Sequence, residues 1–340
     1  MSSAVFQVPV PKDEPVSDYA PGTAERAHVR NALHNLSNRQ IEIPLIIAGR
    51  EVRTGNIGQA VIPHNHDRVL ATYHKAGPAE VHQYPRIVGE TGGKDFVLAH
   101  RTADTPALVT ALIRGAFEYQ GQKCSAASQA YIPDNLWPEV RDGLLAEVST
   151  VEVGDVSDFT NFMGAVIDAD AFKKIVTFIE LAQSSPETEI LAGGECDDRE
   201  GYFIQPTVVL TQDPRHRLME EEIFGPVLNI YVYSQNQYEE TLQLCDSTSP
   251  YGLTGAIFAQ AWWAVQQATT RLWHAAGNFC INDKPTGAVG GLQPFGGSRA
   301  SGTNDKAGSP LDLERWVTPH TIKESFCPPT DYRYPFMGEE

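Results

Sequence analysis

The sequence lacks the marks of a membrane-spanning, disulfide-rich or nucleic-acid-binding protein. Its apolar runs, such as residues 43–48, are short and fall well below the ~20 residues that cross a bilayer. Its five cysteines are widely spaced and form no Cys-x-x-Cys pair, which argues against disulfides or structural zinc and for a reducing compartment. The 26 basic and 43 acidic residues give a formal charge of −17, which repels nucleic acids and anionic membranes. We therefore expect neither as a partner.

Metal ligands and targeting signals are also scarce. His64 and His66 form a His-x-His pair, but no acidic or third histidine ligand stands at metal spacing. We therefore expect no metal and place both histidines in a surface loop. The first twenty residues have neither the Arg-rich amphipathic pattern of a mitochondrial presequence nor the apolar centre of a secretory signal. The residues alone leave the compartment open.

The chain does contain enough apolar sequence for a sizeable core, because 41% of its 340 residues are hydrophobic. Residues 1–40 read as a polar arm with a helix at 23–36, residues 41–52 as a hairpin, and residues 55–83 show little periodic signal. After Pro85 strands and helices alternate, which predicts an α/β fold with a mainly parallel sheet and flanking helices.

The apolar spacing predicts the elements that follow Pro85. Helices are expected at 103–119, after Asp168 as a cap, at 238–245 and at 262–276. Strands are expected at 86–88, 203–210, 227–233, 253–258, 278–281 and 315–323. The Gly-rich stretch 287–302, which contains Phe295 and Arg299, indicates either backbone that closely approaches a ligand or a mobile surface loop.

Two residues form a candidate reactive pair. Cys124 stands just past the end of a predicted helix, after Gly121, where a sharp turn would present the thiol. Glu90 follows a strand-like run and precedes Gly92 and Gly93, so its carboxylate is placed to act as a general base. A lone cysteine, however, is usually a small buried apolar residue.

Two further motifs change that reading. Residues 221–227 read Glu-Glu-Ile-Phe-Gly-Pro-Val, and residues 294–297 read Pro-Phe-Gly-Gly. With the Glu90 and Cys124 motifs, and in this order, they resemble the aldehyde dehydrogenase superfamily. Residues 117–126, 282–284 and 299–306 are most similar to the members that oxidise glutamate semialdehyde, and nearly everything from residue 85 to 334 fits.

The resemblance implies NAD-dependent oxidation of L-glutamate γ-semialdehyde, a small aldehyde, to L-glutamate in proline catabolism, through a Cys124 thioester. Cys124 would be the nucleophile and Glu90 the base. Glu222 would hydrogen-bond the nicotinamide ribose, and Phe224 would pack against the cofactor. A thiolate suits this chemistry because it attacks the aldehyde carbon at neutral pH and later leaves from the thioester.

The same resemblance assigns the substrate contacts. Backbone N–H groups of Gly287 and Ala288 would bind the α-carboxylate, Ser125 would contribute a hydroxyl, and Phe295 would form a wall of the pocket. Backbone donors can bind an anion without a buried cation. The resemblance also implies a mitochondrial matrix location, with the cytoplasm as the alternative.

The resemblance is interrupted after about Gln83. The family has a long segment there that supplies most of its dinucleotide-binding domain, including an oxyanion-hole Asn and the pyrophosphate site. We expect that segment to be absent here, with NAD binding impaired. The predicted domains are 1–83 (arm, hairpin and remnant of a truncated Rossmann-like cofactor domain), 84–311 (catalytic) and 312–340 (C-terminal strand and tail, a possible oligomerisation element).

Three functions stay open at this point. The chain is an active NAD-dependent dehydrogenase, or an impaired isoform that at most associates with full-length relatives, or a thiol hydrolase that uses Cys124 and Glu90 without a cofactor. The family forms homo-oligomers, but another of its oligomerisation elements lies in the segment expected to be absent. NAD is preferred over NADP by resemblance only.

Overall fold

The computed structural model describes residue 10 and residues 12–47, 49–78, 87–318 and 320–333. The α-helices within these ranges are α1 (Ala24–Ser37), α2 (Thr105–Phe117), α3 (Trp137–Val148), α4 (Ala169–Ser184), α5 (Arg217–Glu220), α6 (Tyr238–Thr248), α7 (Trp262–Arg271) and α8 (Pro310–Arg315). The strands are β1 (Ile41–Ile43), β2 (Leu45–Ile47), β3 (Arg50–Val52), β4 (Ile57–Ile62), β5 (Asn65–His74), β6 (Asp95–Ala99), β7 (Ala127–Pro133), β8 (Thr188–Ala192), β9 (Cys196–Asp197), β10 (Phe203–Ile204), β11 (Thr207–Thr211), β12 (Val227–Tyr233), β13 (Tyr251–Gly252), β14 (Thr254–Phe258), β15 (Asn278–Ile281) and β16 (Ser298–Arg299). In these ranges no helix is both long and apolar enough to cross a bilayer.

A seven-stranded sheet organises most of the chain after Glu90. Its order is β15-β14-β6-β7-β12-β11-β8, and all neighbouring pairs are parallel except β8 with β11. On β6, Val97 and Ala99 pack with α2 and α3, whereas Phe96 and Leu98 pack with α6 and α7. The sheet is therefore covered on both faces, as parallel sheets generally are. The predicted α/β fold with flanking helices is confirmed.

Several predicted elements occur at or near their predicted bounds. The strands at 227–233 and 278–281 are β12 and β15, and the strand at 253–258 is β14. The helix expected at 103–119 is α2, and those at 238–245 and 262–276 are α6 and α7. Asp168 caps α4 by accepting a hydrogen bond from the backbone N–H of Ala171 at 2.8 Å. The run at 203–210 is split into β10 and β11.

The expectation of little regular structure at 55–83 is wrong for the described residues. Antiparallel strands β4 and β5 occupy much of it, and β1 pairs with β5 in parallel. The pairing register shifts on both sides of Val61. Bulges of this kind displace the two-residue alternation by which strands are recognised in sequence. Residues 79–83 lie outside the described ranges.

Three other predicted elements need correction. The hairpin at 41–52 is confined to β2 and β3, because β1 joins the other sheet. Residues 87–88 are not a strand, and Arg86 lies outside the described residues. The C-terminal strand at 315–323 does not form in its described residues, because α8 ends at Arg315 and Ile322 is exposed. Strand propensity alone does not create the ladder that stabilises a strand.

His64 lies in the turn between β4 and β5, as expected of a loop residue, whereas the loop prediction is wrong for His66. His66 belongs to β5, its ring stacks on Tyr202 at 5.0 Å, and its backbone N–H donates to Glu200 O at 3.1 Å. His64 lies 3.3 Å from the Asp155 carboxylate. Both side chains therefore help to dock the N-terminal strands on the segments that contain Asp155 and Tyr202. Among the described residues, no group of three or more His, Cys, Asp or Glu could hold a metal ion.

Candidate active site

Three segments that carry candidate site residues meet at the N-terminal ends of three neighbouring strands of the large sheet. Glu90 precedes β6, Cys124 precedes β7 and Glu222 precedes β12, and these three strands are neighbours in the order β6-β7-β12. Because the strands are parallel, their N-terminal ends lie together. Ligands of open α/β sheets more often bind at the carboxyl ends of the strands. The site therefore lies at the N-terminal ends of the strands, which is the less usual position.

A tight turn presents Cys124 directly after α2. Tyr119, Gln120 and Gly121 have φ angles of 52°, 59° and 65°, so three successive residues are left-handed. The Gln120 side chain fixes this turn by accepting a hydrogen bond from Gly164 N and donating one to Ala165 O, both at 3.1 Å. The structure therefore confirms that Cys124 lies just past a helix end, at a sharp turn that contains Gly121.

Glu90 is held by a loop from the far end of the chain instead of by a strand of the large sheet. Glu90 forms an isolated antiparallel bridge with Gly302. On one side, Gly89 N donates to the Thr303 hydroxyl at 2.9 Å, and on the other Thr91 N donates to Ser301 O at 3.1 Å. The main chain at Glu90 is thus fixed while its side chain stays exposed.

The Cys124 thiol and the Glu90 carboxyl group line the same cavity and interact electrostatically. Burial of the thiol, the hydrogen bond to Glu90 and the negative charges of Glu90 and Asp95 raise the pKa of Cys124 to about 12. The thiol is therefore neutral in the resting state at neutral pH. This geometry gives the thiol proton a direct acceptor, which is what activation of a cysteine nucleophile requires.

A cavity of about 560 Å³ lies over this pair. Its lining residues are Glu90, Thr91, Gly92, Cys124, Ala171, Lys174, Glu222, Ile223 and Phe224. The Glu222 carboxylate accepts a hydrogen bond from Gly93 N at 2.8 Å. Phe224 is left-handed at φ 60°, and its side chain is partly exposed. The structure therefore brings four of the eight sequence-predicted site residues together around one cavity.

The four residues expected to bind substrate are placed differently. Ser125 follows Cys124 and is buried, whereas Gly287 and Ala288 line a second cavity of about 420 Å³. Phe295 is bridged to the 307 segment through a 2.8 Å bond from its N–H to Ala307 O. Gly287 and Ala288 are not among the residues that line the Cys124 cavity.

A charged bridge links the glycine-rich loop to the Cys124 turn. Glu118 accepts hydrogen bonds from Lys123 at 2.8 Å and from Lys284 at 3.3 Å. Lys284 also donates to the Thr286 hydroxyl at 2.9 Å, one residue before Gly287. Sequence reasoning gave Glu118 and the two lysines no role, because the residues that meet are up to 166 positions apart.

Sequence reasoning also missed a buried charged pair below the cavity. Lys94 and Asp95 are each only 3% exposed. Lys94 Nζ donates to the Ser128 hydroxyl at 2.7 Å, and Asp95 accepts from Thr254 N at 2.7 Å. Burial lowers the pKa of Lys94 and raises that of Asp95. Two adjacent charges that open an otherwise apolar strand were the available signal.

Glu90→Gln is expected to accelerate alkylation of Cys124 at neutral pH. The substitution removes the charge that helps to raise the thiol pKa, and each pKa unit of lowering increases the thiolate fraction about tenfold. The thiolate should therefore appear at lower pH than in the wild type, with a rate increase of about tenfold near neutrality. The measurement is the rate of iodoacetamide modification against pH, resolved by peptide mass spectrometry.

Cys327 is exposed and serves as an internal reference in the same digest. Its rate should be the same in both proteins. An unchanged rate at Cys124 in the variant would show that Glu90 does not control the thiol, and a slower rate would show that Glu90 acts on the resting thiol as a base more than as a negative charge.

Comparison with known proteins identifies relatives of this site. The model of the aldehyde dehydrogenase family matches residues 70–322. Mitochondrial delta-1-pyrroline-5-carboxylate dehydrogenase from Dictyostelium discoideum is 57% identical over 254 residues, which is 75% of this chain and 46% of that protein. Its human counterpart is 54% identical over 257 residues, with the same coverages of 75% and 46%.

Solved structures agree with the sequence matches. The delta-pyrroline-5-carboxylate dehydrogenase from Mycobacterium tuberculosis superposes with a TM-score of 0.88 at 31% identity, covering 100% of each chain. The same enzyme bound with NAD superposes with a TM-score of 0.86 at 31% identity, covering 99% of this chain and 100% of that one. By sequence, however, the chain spans about half the length of the curated relatives it matches.

Proposed function

The chain belongs to the aldehyde dehydrogenase family, and on that premise we propose that it uses Cys124 and Glu90 to oxidise L-glutamate γ-semialdehyde to L-glutamate with NAD. The observation that carries the proposal is that Cys124 and Glu90 line one cavity together with Glu222 and Phe224. The names of the relatives support this choice of substrate.

The geometry supports a two-stage reaction. Glu90 takes the thiol proton, and the Cys124 sulfur forms a bond to the aldehyde carbon. NAD, when bound, supplies the acceptor for the hydride that this carbon loses. Glu90 releases the thiol proton to solvent and then removes a proton from water, whose oxygen attacks the thioester carbon. The C–S bond breaks, the proton passes from Glu90 to the sulfur, and the carboxylate product and the free thiol are released. Glu90 is suited to these proton transfers because its side chain is exposed to solvent in the cavity that the partly buried Cys124 also lines.

The far end of the substrate carries a carboxylate that must be matched by donors. Gly287 and Ala288 would supply backbone N–H groups for it, with Ser125 and Phe295 nearby. The contacts of Glu118 with Lys123 and Lys284 support this assignment, because they tie the glycine-rich loop to the residue before Cys124. Loop closure towards the Cys124 cavity would then bring both ends of one substrate into contact.

The residues present fit one end of NAD. Glu222 offers a carboxylate to the cavity, and Phe224 offers an aromatic side chain that is 38% exposed. The sequence contains no Gly-x-Gly-x-x-Gly motif and no Gly-x-x-x-x-Gly-Lys-[Ser/Thr] motif to receive the phosphates. We infer that the nicotinamide end is recognised and that the rest of the dinucleotide is held weakly.

A missing internal segment would explain why the phosphate and adenosine parts of NAD are held weakly. The structural alignment covers all of both chains, whereas the sequence match covers 46% of the Dictyostelium relative. We therefore propose that a stretch of the family's cofactor domain is absent between the N-terminal strands and Glu90. Loss of one oxyanion donor alone costs on the order of a hundredfold in rate.

The alternative is an impaired isoform that survives by association with full-length relatives, and the half-length match favours it over an unrelated function. Because members of the family form homo-oligomers, we include association with full-length relatives in this alternative. The word mitochondrial in the names of the relatives supports a mitochondrial location for the chain.

The deciding measurement is NADH formation, followed by absorbance, from purified chain, glutamate semialdehyde and NAD. NAD affinity is measured separately by calorimetry. Slow, cysteine-dependent NADH formation that saturates only at high NAD is the expected result. No NADH from folded protein at any NAD concentration would favour the impaired isoform. Fast turnover at low NAD would refute the inference of a missing phosphate site.

A further inference from the structure

The Glu222 carboxylate lies against both glycines that follow Glu90. One of its oxygens accepts the hydrogen bond from Gly93 N at 2.8 Å. The other would lie 3.1 Å from a Cβ atom placed on Gly92. The carboxylate therefore fixes the peptide between the base segment and β6, and it does so from the start of a different strand.

Gly93 in turn lies against the nucleophile. A Cβ atom on Gly93 would lie 2.7 Å from the carbonyl oxygen of Cys124 and 2.8 Å from the Asp95 carboxylate. No side chain fits there, so the Gly93 main chain packs directly on the Cys124 backbone. A continuous set of contacts runs from Glu222 through Gly93 to Cys124.

Charge alone does not explain the position of Glu222. The charges that raise the pKa of the Cys124 thiol are those of Glu90 and Asp95, and Glu222 is not among them. Lys174 lines the same cavity. Glu222 instead interacts electrostatically with buried Lys94, whose ammonium group donates to Ser128 at the start of β7. Any influence of Glu222 on the thiol must therefore act largely through position.

We propose that Glu222 is a positioning residue that holds the Glu90 segment against Cys124 whether or not a cofactor is bound. The proposal deepens the proposed function, on which it rests for the identity of the reactive pair. It assigns Glu222 a task in addition to a cofactor contact. The acceptor oxygen is the feature that matters, because the contact it makes is a hydrogen bond from a backbone N–H.

The test is alkylation of Cys124 by iodoacetamide across pH in the full chain, without aldehyde or NAD. In Glu222→Ala and Glu222→Met the Gly93 N–H loses its acceptor, and Glu90 is expected to lose its fixed contact with the thiol. The pKa of Cys124 should then fall, and alkylation at neutral pH should rise about tenfold for each unit lost. Glu222→Gln keeps an acceptor oxygen and should behave like the wild type.

Glu221→Gln is the matched control, because Glu221 is the adjacent carboxylate but forms an i,i+4 pair with Arg217. It should leave the Cys124 profile unchanged. Wild-type profiles in both acceptor-free variants would overturn the proposal, as would a Glu222→Gln profile that matches Glu222→Ala. If Glu222→Ala does not fold, Glu222→Met decides, since it preserves side-chain length. Absence of NADH formation would contradict the proposed function but would not change what the Cys124 alkylation profiles show about Glu222.

Discussion

Cys124→Ala is expected to abolish acyl transfer by this chain. Cys124 supplies the thiol in the cavity, and Glu90 is the proton acceptor assigned to it. Without Cys124, Glu90 has no nucleophile to deprotonate. Removal of the nucleophile from a coupled catalytic group costs at least about 10⁴-fold in rate. The measurement is release of p-nitrophenolate from p-nitrophenyl acetate, because this ester acylates a thiol without NAD.

Intact-mass spectrometry of the same samples tests the assignment of roles. The wild type should show one transient acetyl adduct, Cys124→Ala none, and Glu90→Gln an adduct that persists because no base activates water for its hydrolysis. Cys280→Ala is the control, since Cys280 is a partly buried free cysteine that lines the other cavity. Equal rates of nitrophenolate release by Cys124→Ala and the wild type would show that another residue is the nucleophile.

The central part of the fold was predictable because its sequence signals are strong. β12 and β15 are rich in apolar residues and bounded by turn residues, and Asp168 is a cap of the most recognisable kind. β4 and β5 were missed because their bulges interrupt the alternation of buried and exposed side chains. The C-terminal strand was wrong because propensity without a ladder does not specify a strand.

The sequence motifs indicated residues that the structure brings together, but they did not indicate how. The motifs named Cys124, Glu90, Glu222 and Phe224, and the strand order β6-β7-β12 then brought them to one cavity. That order depends on long-range packing that no local pattern encodes. The same holds for the loop at 300–303, which fixes Glu90 through contacts more than 200 positions away along the chain.

Lys94 shows why the remaining part of the site was not predictable. A lysine after two glycines reads as a surface residue, since lysine is almost never fully buried unless it is paired. Its burial is tolerated because the Ser128 hydroxyl and the nearby Asp95 and Glu222 charges compensate it. The sequence shows only two adjacent charges before an apolar strand, because Ser128 and Glu222 come from other segments.

Gly121→Ala is expected to destabilise the folded chain by more than about 4 kcal/mol, or to prevent folding, which is exceptional for a single methyl group. The added Cβ would lie 2.3 Å from Gly225 O and 2.8 Å from Ala116 O, so two backbone segments obstruct it. Gly194→Ala separates this steric effect from backbone strain, because Gly194 is also left-handed at φ 91° but has only side-chain atoms nearby, at 3.4 Å or more. Gly194→Ala should cost about 1–2 kcal/mol.

Urea unfolding of both variants measures the two losses of unfolding free energy. Equal losses would mean that the Cys124 turn and the Glu222–Gly225 segment can separate at low cost, and the four residues around the cavity would then not be held as one site.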